Sequence, residues 1–392
     1  MRLLGKAASV VRGRVLRYWL AALVMITVAA ASAQILVRTT IQPSRTLPNQ
    51  IPPTSAPIHP PTPAATQVTV NSPAFDAYKT YLKQRARSEG IRDETILAYL
   101  PTLSFNQRAI DLDRSQMPGT TQTSGPDPLA PYLQKHVTTV LVNAGQRRYF
   151  LDWPNLVRIY QSYGVDPAIL MAVYGEETHY GAVTGNFDLL EALASLAYEG
   201  RRRAMFEEEF LSALKLIDSG VPREQLKGSY AGATGYAQFM PSLALRLRAD
   251  GDADGYADIW GNEADALASI ANAFHAAGWK AGIPWGAAVR VPATLDRNTI
   301  RPTTEAQSCP AVYRRHSRRM SVAEWRKLGV VIVGQPLAAS EETTLFEPDG
   351  PNGTAYLLTS NYRVILSYNC SNYYAMSVGL LSDAIARRAG AS

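Results

Sequence analysis

A short helical segment that is apolar on every side and is followed at once by two acidic residues constrains this chain most. Residues 168–174 read Ala-Ile-Leu-Met-Ala-Val-Tyr, and Gly-Glu-Glu-Thr-His-Tyr-Gly follows at 175–181. Because a helix without a polar face is buried on all sides, its end holds a carboxylate where water is scarce. Burial penalises the charged form, so a glutamic acid there keeps its proton near neutral pH and can serve as a catalytic acid.

The helix that carries the two acids has recognisable ends. Asp166 suits the N-cap, Pro167 suits the first helical position, and Gly164 fits the end of a preceding helix, so two helices form a hairpin. Neighbouring helical side chains point about 100° apart, so Glu176 and Glu177 cannot face each other across a sugar as the acids of an ordinary glycosidase do. We expect one catalytic and one structural glutamate. The alternative is two ordinary helix-end carboxylates.

Residues 227–242 form a loop of small residues interrupted by aromatic and amide side chains, Lys-Gly-Ser-Tyr-Ala-Gly-Ala-Thr-Gly-Tyr-Ala-Gln-Phe-Met-Pro-Ser. Its glycines let a ligand approach the backbone closely. Tyr236 and Phe239 offer flat faces to sugar rings, and Ser229 and Gln238 can hydrogen-bond hydroxyl and acetamido groups. The loop therefore predicts one wall of a binding groove, although a glycine-rich turn between helices with aromatic core residues has the same composition.

Together with Ser-Tyr-Asn-Cys-Ser-Asn-Tyr-Tyr-Ala at 367–375, these motifs resemble the lytic murein transglycosylase B family over roughly residues 75–384. The resemblance implies a lysozyme-like helical core that cleaves the β-1,4 bond between N-acetylmuramic acid and N-acetylglucosamine of peptidoglycan and leaves a 1,6-anhydro product. By motif position it makes Glu177 the catalytic residue, first as acid and then as base. The nucleophile is then the muramic sugar's own C6 hydroxyl, and the chemistry requires no cofactor.

The same resemblance implies a set of substrate contacts. The residues predicted to contact substrate in the cleft are Tyr132, Ser229, Tyr236, Gln238, Phe239, Tyr368, Asn369 and Tyr374. Arg202 and Arg203 resemble paired arginines of the family, which suggests that they face carboxylates of the substrate. For these two residues the alternative is a solvated basic turn.

Residues 250–258, Asp-Gly-Asp-Ala-Asp-Gly-Tyr-Ala-Asp, follow the spacing of a calcium-binding loop. The usual glutamate at the twelfth position is a glycine here, and the family resemblance implies a later aspartate in its place. The predicted ligands are Asp250, Asp252, Asp254, the carbonyl of Tyr256, and Asp265. The loop therefore predicts a structural Ca²⁺, and the alternative is an Asp-rich turn that caps the next helix.

The N-terminus has the pattern of an export signal. Residues 1–33 contain five basic residues and no acids, and an uncharged run extends over residues 18–37. Ala-Ser-Ala at 31–33 fits a signal peptidase site, while an uncut run is long enough to anchor the chain in the inner membrane. Either outcome leaves the body of the protein in the periplasm. Because the first cysteine is Cys309, we do not expect a lipid anchor.

The net charge of the chain does not indicate a strongly basic surface that would bind nucleic acid. The export segment carries five of the net +6 charges, which leaves +1 for the rest, so nucleic acid is not an expected partner. The basic run at 314–319 is typical of a solvated face. The expected partners are peptidoglycan glycan strands, with the inner membrane, through an uncut N-terminal segment, and proteins of the cell-wall machinery as further candidates.

The predicted fold class is α+β, mainly α, with a lysozyme-like helical core and a small antiparallel β domain. Residues 34–71, with eight prolines between 43 and 63, form an extended linker. The expected domains are an N-terminal helical domain at 72–151, completed by a C-terminal helix at 374–389, a catalytic core with the calcium-type loop at 152–282, and a β domain at 283–373. Strands are predicted at 288–291, 330–333, 355–358 and 363–368.

Two alternative functions and one excluded function follow from the residues. A hydrolytic muramidase would need a second carboxylate aimed into the groove, and a non-catalytic peptidoglycan-binding protein would leave Glu177 exposed. Two cysteines and five scattered histidines form no recognised zinc site, which disfavours a metal-dependent amidase. An oxidising compartment permits a disulfide between Cys309 and Cys370.

Overall fold

The computed structural model describes residues 73–115 and 128–389. The predicted export segment at 1–33 and the linker at 34–71 lie outside the described residues. The described residues belong to one compact unit. Across the two described ranges, no helix has both the length and the apolar character that crossing a bilayer requires.

Most of the described chain is helical. The helices are α1 (Pro73–Ser88), α2 (Asp93–Tyr99), α3 (Gln107–Ser115), α4 (Leu129–His136), α5 (Thr139–Leu151), α6 (Trp153–Tyr163), α7 (Pro167–Thr178), α8 (Leu189–Glu199), α9 (Arg203–Asp218), α10 (Pro241–Leu247), α11 (Glu263–Ala276), α12 (Pro310–Tyr313), α13 (Val322–Lys327), α14 (Ser360–Tyr368) and α15 (Asn372–Ala389), with 3₁₀ turns at Leu100–Thr102 and Arg223–Gln225.

The predicted hairpin of α6 and α7 is confirmed, and its ends form for the expected reasons. Gly164 closes α6 with φ 69°, in the left-handed region that glycine adopts without steric cost. The Asp166 side chain accepts a hydrogen bond of 2.8 Å from the backbone N–H of Ala168, and Pro167 starts α7. Every residue from 168 to 175 is buried, because α7 packs against α5, α11 and α15. The apolar segment is thus the centre of the helical core.

The β region contains a small antiparallel sheet. Its strands are β3 (Gly286–Arg290), β4 (Met320–Ser321), β5 (Val331–Ile332), β6 (Glu342–Phe346) and β7 (Ala355–Leu358), while β1 (Phe187–Asp188) and β2 (Lys227–Gly228) pair separately. The order in the sheet is β4-β6-β7-β3-β5, with Ala288 opposite Tyr356 and Leu345 opposite Leu357. A second apolar core, which includes Trp325 and Val289, lies in this region. The predicted class, mainly α with a small antiparallel sheet, is confirmed.

The strand predicted at 363–368 is wrong, because these residues belong to helix α14. The Thr359 hydroxyl caps this helix by accepting a hydrogen bond from the backbone N–H of Asn361. Tyr362, Ile365 and Leu366 are buried, and their spacing of three and four residues is the period of a helix that is buried on one side. The apolar composition of the segment is compatible with a strand or a helix, and the helical spacing of the buried residues distinguishes the two.

The two cysteines of the chain are joined in a disulfide. Cys309 and Cys370 are 61 residues apart in sequence, with 5.9 Å between their Cα atoms. The bond connects the residue before α12 to the turn between α14 and α15. It therefore ties a loop of the β region to the two C-terminal helices.

Candidate active site

Glu177 lies in the last turn of α7, with one carboxylate oxygen held and the other open. The Tyr374 hydroxyl, from α15, donates a hydrogen bond of 2.6 Å to Oε1 of Glu177. Oε2 has no hydrogen-bond partner among the described residues. Burial raises the pKa of Glu177 to about 7, although the Tyr374 hydrogen bond lowers it and the charge of Glu176 adds a smaller increase. The side chain is therefore an acid that keeps its proton near neutral pH.

Glu176 has a different environment from its neighbour. Its side chain is 3% exposed, and its Oε2 lies 2.8 Å from Nδ1 of His136. Burial raises the pKa of Glu176, and the hydrogen bond to His136 opposes that rise. The His136 ring in turn stacks on Tyr132, with ring centroids 3.9 Å apart and planes at 8°. Glu176 thus binds the end of α4, and its orientation differs from that of Glu177.

The helix ends directly after the two glutamates, in a turn of unusual backbone conformation. His179 and Tyr180 have φ values of 51° and 59°, a left-handed conformation that costs a residue with a side chain about 1–2 kcal/mol. Tyr180 is buried, and its hydroxyl donates a hydrogen bond of 3.0 Å to the carbonyl of Leu141. A side chain at Gly175 would place its Cβ 2.8 Å from that hydroxyl oxygen. Close packing against glycine therefore holds the turn in place.

The loop at 227–242 folds back on itself beside the end of α7. The Thr178 hydroxyl lies 3.4 Å from the carbonyl of Tyr236, and Ser229 Oγ accepts a hydrogen bond from the backbone N–H of Ala233. Gln238 donates from its amide nitrogen to the carbonyl of Gly235 at 2.9 Å and of Thr184 at 3.2 Å. Its side-chain carbonyl has no partner within the described ranges. Gln238 is thus fixed with an acceptor free for a ligand.

The late motif packs against this loop. The Tyr368 hydroxyl donates a hydrogen bond to the carbonyl of Ala237, and burial, together with the charge of Glu177, raises the pKa of Tyr368 well above its ordinary range. Phe239 is 1% exposed, and its ring lies 5.9 Å from that of Tyr368. Both residues line a cavity of about 340 Å³. Phe239 therefore offers a ligand little of its ring face. Asn369 is exposed at the end of α14.

The structure does not bring the two predicted arginines to Glu177. Arg202 and its neighbour Arg201 both form ion pairs with the buried carboxylate of Asp113. Arg203 lies over the Tyr78 ring at 5.4 Å from its centroid. Burial raises the pKa of Tyr230, in the loop at 227–242; the charge of Asp113 raises it further, and that of Arg202 lowers it. These arginines therefore bind residues of the N-terminal helices, Asp113 of α3 and Tyr78 of α1.

The aspartate loop brings three predicted ligands together. Asp250, Asp252 and Asp254 are exposed, and one oxygen from each lies within 4.8 Å of the others. Asp265 is separate from this group: it is buried, and its two oxygens accept hydrogen bonds of 2.7 Å from the backbone N–H groups of Gly251 and Asp258. It therefore fastens the loop rather than joining the three. An all-oxygen donor set of this kind fits a hard cation such as Ca²⁺.

Two site residues escaped the sequence analysis. His136 was one of five scattered histidines, and Asp113 was one acid among many; no local pattern marked either. Each becomes recognisable only when its partner is known, and His136 and Glu176 are 40 residues apart in sequence.

Comparison with known proteins gives a family and several relatives. Residues 74–383 match the family model described as Transglycosylase SLT domain. The chain is 33% identical over 234 residues to the membrane-bound lytic murein transglycosylase B of Escherichia coli (strain K12). This match spans 59% of the present chain and 60% of the curated relative.

Two solved structures of one Pseudomonas aeruginosa protein, SltB3, are similar to the chain. One is a complex with NAG-NAM-pentapeptide (35% identity) and the other with NAG-anhNAM-pentapeptide (34%), each with a TM-score of 0.71 and 80% of both chains covered. Escherichia coli Slt35 in complex with calcium is 28% identical, with a TM-score of 0.64 over 81% of this chain and 94% of that chain.

Proposed function

The chain belongs to the transglycosylase SLT domain family, and from this premise we propose that it is a lytic transglycosylase of peptidoglycan. The reaction is cleavage of the β-1,4 bond between N-acetylmuramic acid and N-acetylglucosamine, with formation of 1,6-anhydro-N-acetylmuramic acid. The SltB3 complexes support this assignment, because one contains an anhNAM glycopeptide.

The observation that carries the proposal is the environment of Glu177. A half-buried acid with a pKa of about 7 supplies a proton to the glycosidic oxygen as that bond breaks and the muramic C1 develops positive charge. Tyr374 stabilises the carboxylate that remains. This carboxylate then takes the proton of the C6 hydroxyl while the C6 oxygen forms a bond to C1. Glu177 therefore ends the cycle protonated.

The contact between Glu176 and His136 favours this internal attack over hydrolysis. Glu176 is the nearest acid in sequence, and its Oε2 is bound to His136. A water nucleophile would need a second carboxylate across the sugar, whereas an internal hydroxyl gains its reactivity from position alone. No observation on the described residues favours a hydrolytic muramidase.

We assign the substrate contacts to the residues around Glu177. The side-chain carbonyl of Gln238 is available to an acetamido N–H, and Ser229, Tyr236, Tyr132 and Tyr368 are the further candidates. Phe239 contributes to the floor of the cleft. Asn369 follows the end of α14, and Tyr374 lies in the first turn of α15. Arg202 and Arg203 remain candidates for a distant carboxylate of the substrate.

The chemistry uses no cofactor in this proposal, and the aspartate loop has a structural role. Asp250, Asp252, Asp254 and the carbonyl of Tyr256 would hold Ca²⁺, and Asp265 would keep the loop closed. The ion, when bound, neutralises the three carboxylates and so stabilises the loop. The calcium complex of Slt35 supports this site.

We also propose that the protein is exported and acts in the periplasm, either in soluble form or anchored in the inner membrane. Residues 72–151 with 374–389, 152–282 and 283–373 are the proposed domains. N-terminal sequencing of the mature protein from the producing cells distinguishes cleavage after residue 33 from retention of the segment.

Digestion of purified sacculi, followed by mass spectrometry, tests the function. Wild type is expected to release anhydro-muropeptides, Glu177→Gln is expected to release none while remaining folded, and Glu208→Gln, a change of an exposed glutamate on α9, is expected to match wild type. Full turnover by Glu177→Gln would remove this residue from its role. Products heavier by one water would indicate a muramidase, and binding without cleavage a non-catalytic protein.

A further inference from the structure

The β region contains a cavity whose lining is strongly basic. It has a volume of about 480 Å³ and lies between the loop at 302–306, helix α12 and the start of α14. Its charged lining consists of Arg314, Arg318, Arg319, Arg363 and one acid, Glu305. Four guanidinium groups around a single carboxylate make this cavity a site where an anion is attracted.

Most of this positive charge is not neutralised within the protein. Arg314 forms an ion pair with Glu305 at 2.8 Å, and Arg363 lies over the ring of Tyr313 at 5.1 Å. Within residues 73–115 and 128–389, neither Arg318 nor Arg319 forms an ion pair. The hydrogen bonds from Ser321 lower the pKa of Glu324, and the charge of Arg318 adds a smaller decrease without an ion pair.

The buried wall of the cavity adds a neutral polar group. His316 is 5% exposed, and its Nε2 lies 2.7 Å from Oδ1 of Asn372. Burial lowers the pKa of His316 to about 4, and the charges of Arg315 and Arg363 lower it further. The imidazole is therefore uncharged at neutral pH, and the arginines alone set the charge of the cavity.

Three cavities share lining residues between the arginines and the loop at 227–242. A second cavity of about 550 Å³ shares Arg319 and Arg363 with the first, and the disulfide between Cys309 and Cys370 lies in its wall. It shares Ser367 with the cavity of about 340 Å³ that Gln238, Phe239 and Tyr368 line. The three cavities therefore adjoin one another from the arginines to Gln238 and Tyr368.

We infer that Arg318, Arg319 and Arg363 bind free carboxylates of the peptide stems that muramic sugars carry. This inference rests on the proposed function. The sugars of the glycan strand are neutral at their N-acetyl and hydroxyl groups, so the stem carboxylates are the anions that such a substrate brings. Guanidinium groups match carboxylates through paired N–H donors. The chain thus binds the peptide stem as well as the glycan, and the residues that bind the stem are far in sequence from Arg202 and Arg203.

Kinetics on two substrates tests this site. We compare wild type with the double variant Arg318→Gln/Arg319→Gln on glycan strands that carry free stems and on strands stripped of stems by an amidase. The variant is expected to raise KM for the stem-bearing strands about tenfold, with kcat unchanged and no change on stripped strands. Arg326→Gln, an exposed arginine on α13 outside the cavity, is the matched control and is expected to behave as wild type.

Direct binding separates this inference from the proposed function. Titration with a synthetic stem pentapeptide, monitored by NMR, is expected to show binding by wild type that weakens with salt and is lost in the double variant and with an amidated peptide. Unchanged KM on stem-bearing strands, equal KM changes on both substrates, or equal binding of the amidated peptide would each overturn the inference. Failure of wild type to cut either substrate would refute the proposed function, whereas the peptide titration would still decide this site.

Discussion

The raised pKa of Glu177 predicts a pH dependence of folding stability that requires no substrate. Burial moves this pKa from its ordinary 4.5 to about 7. A group whose pKa is higher in the folded than in the unfolded chain contributes stability that is fully present below pH 4.5 and is lost as the pH rises through 7. Each pKa unit corresponds to about 1.36 kcal/mol. Ionisation of Glu177 therefore lowers the free energy of unfolding of wild type by about 3 kcal/mol across this window.

Glu177→Gln removes that loss, because glutamine does not titrate. The amide keeps the shape of the side chain and an oxygen that accepts the Tyr374 hydroxyl. We expect the variant and wild type to differ by less than about 1 kcal/mol at pH 4.5 and the variant to be more stable by about 3 kcal/mol at pH 8. Urea denaturation at pH 4.5, 6 and 8 measures both free energies, and their difference cancels the titration of every group that the two proteins share.

Glu208→Gln provides the control for a general effect of removing a carboxylate. Its side chain is exposed on α9, so the same measurements on this variant show the effect of removing a carboxylate outside the site. If Glu177→Gln differed from wild type by a constant amount from pH 4.5 to 8, Glu177 would ionise in the folded protein as it does in the unfolded chain. The folded protein would then not retain the proton of Glu177 near neutral pH.

Further predictions concern the groups around the site and the aspartate loop. Tyr374→Phe removes a hydrogen bond that lowers the pKa of Glu177, so the fall of kcat/KM at high pH is expected to move upward by about one unit; an unmoved profile would contradict the role of this bond. His136→Ala removes the 2.8 Å hydrogen bond of buried Glu176, which keeps only its bond to Ser377. The substitution is expected to lower the free energy of unfolding by about 1–3 kcal/mol, as urea denaturation would show. Asp265→Ala removes the acceptor of two backbone N–H groups, for an expected loss of about 2–4 kcal/mol, whereas a loss below about 1 kcal/mol would mean that the loop closes without it. Dialysis against a chelator is expected to lower the melting temperature, and an unchanged melting temperature with no calcium detected by mass spectrometry would leave the aspartates as a turn.

Local sequence patterns predicted the elements whose determinants lie within a few residues. The hairpin of α6 and α7 follows from Gly164, Asp166 and Pro167, and each of these residues acts on its own helix end. The strands at β3, β5 and β7 follow from apolar composition between turn residues. Segment 363–368 has the same composition, and only the burial of its residues at helical spacing, which depends on neighbouring elements, distinguishes it.

Contacts between distant parts of the chain could not be predicted in the same way. Glu177 and Tyr374 are 197 residues apart, and Glu176 and His136 are 40 apart. The motifs marked both glutamates as candidates, but the difference between them arises from what α4 and α15 bring to each. Asp265 shows the same limit, since the sequence identified a carboxylate near the loop and could not indicate that backbone N–H groups would occupy both of its oxygens.

The position of Tyr374 in the last helix also has a consequence for when the site is complete. Translation produces α7 long before α15, so a growing or truncated chain has Glu177 without the hydroxyl that stabilises its carboxylate. The same helix packs against α4, α5 and α7, so these elements also lack one side of their packing until the C-terminus arrives. An unfinished polypeptide therefore lacks the assembled environment of the proposed catalytic acid, and a cell whose own wall is the proposed substrate encounters that acid only in finished molecules.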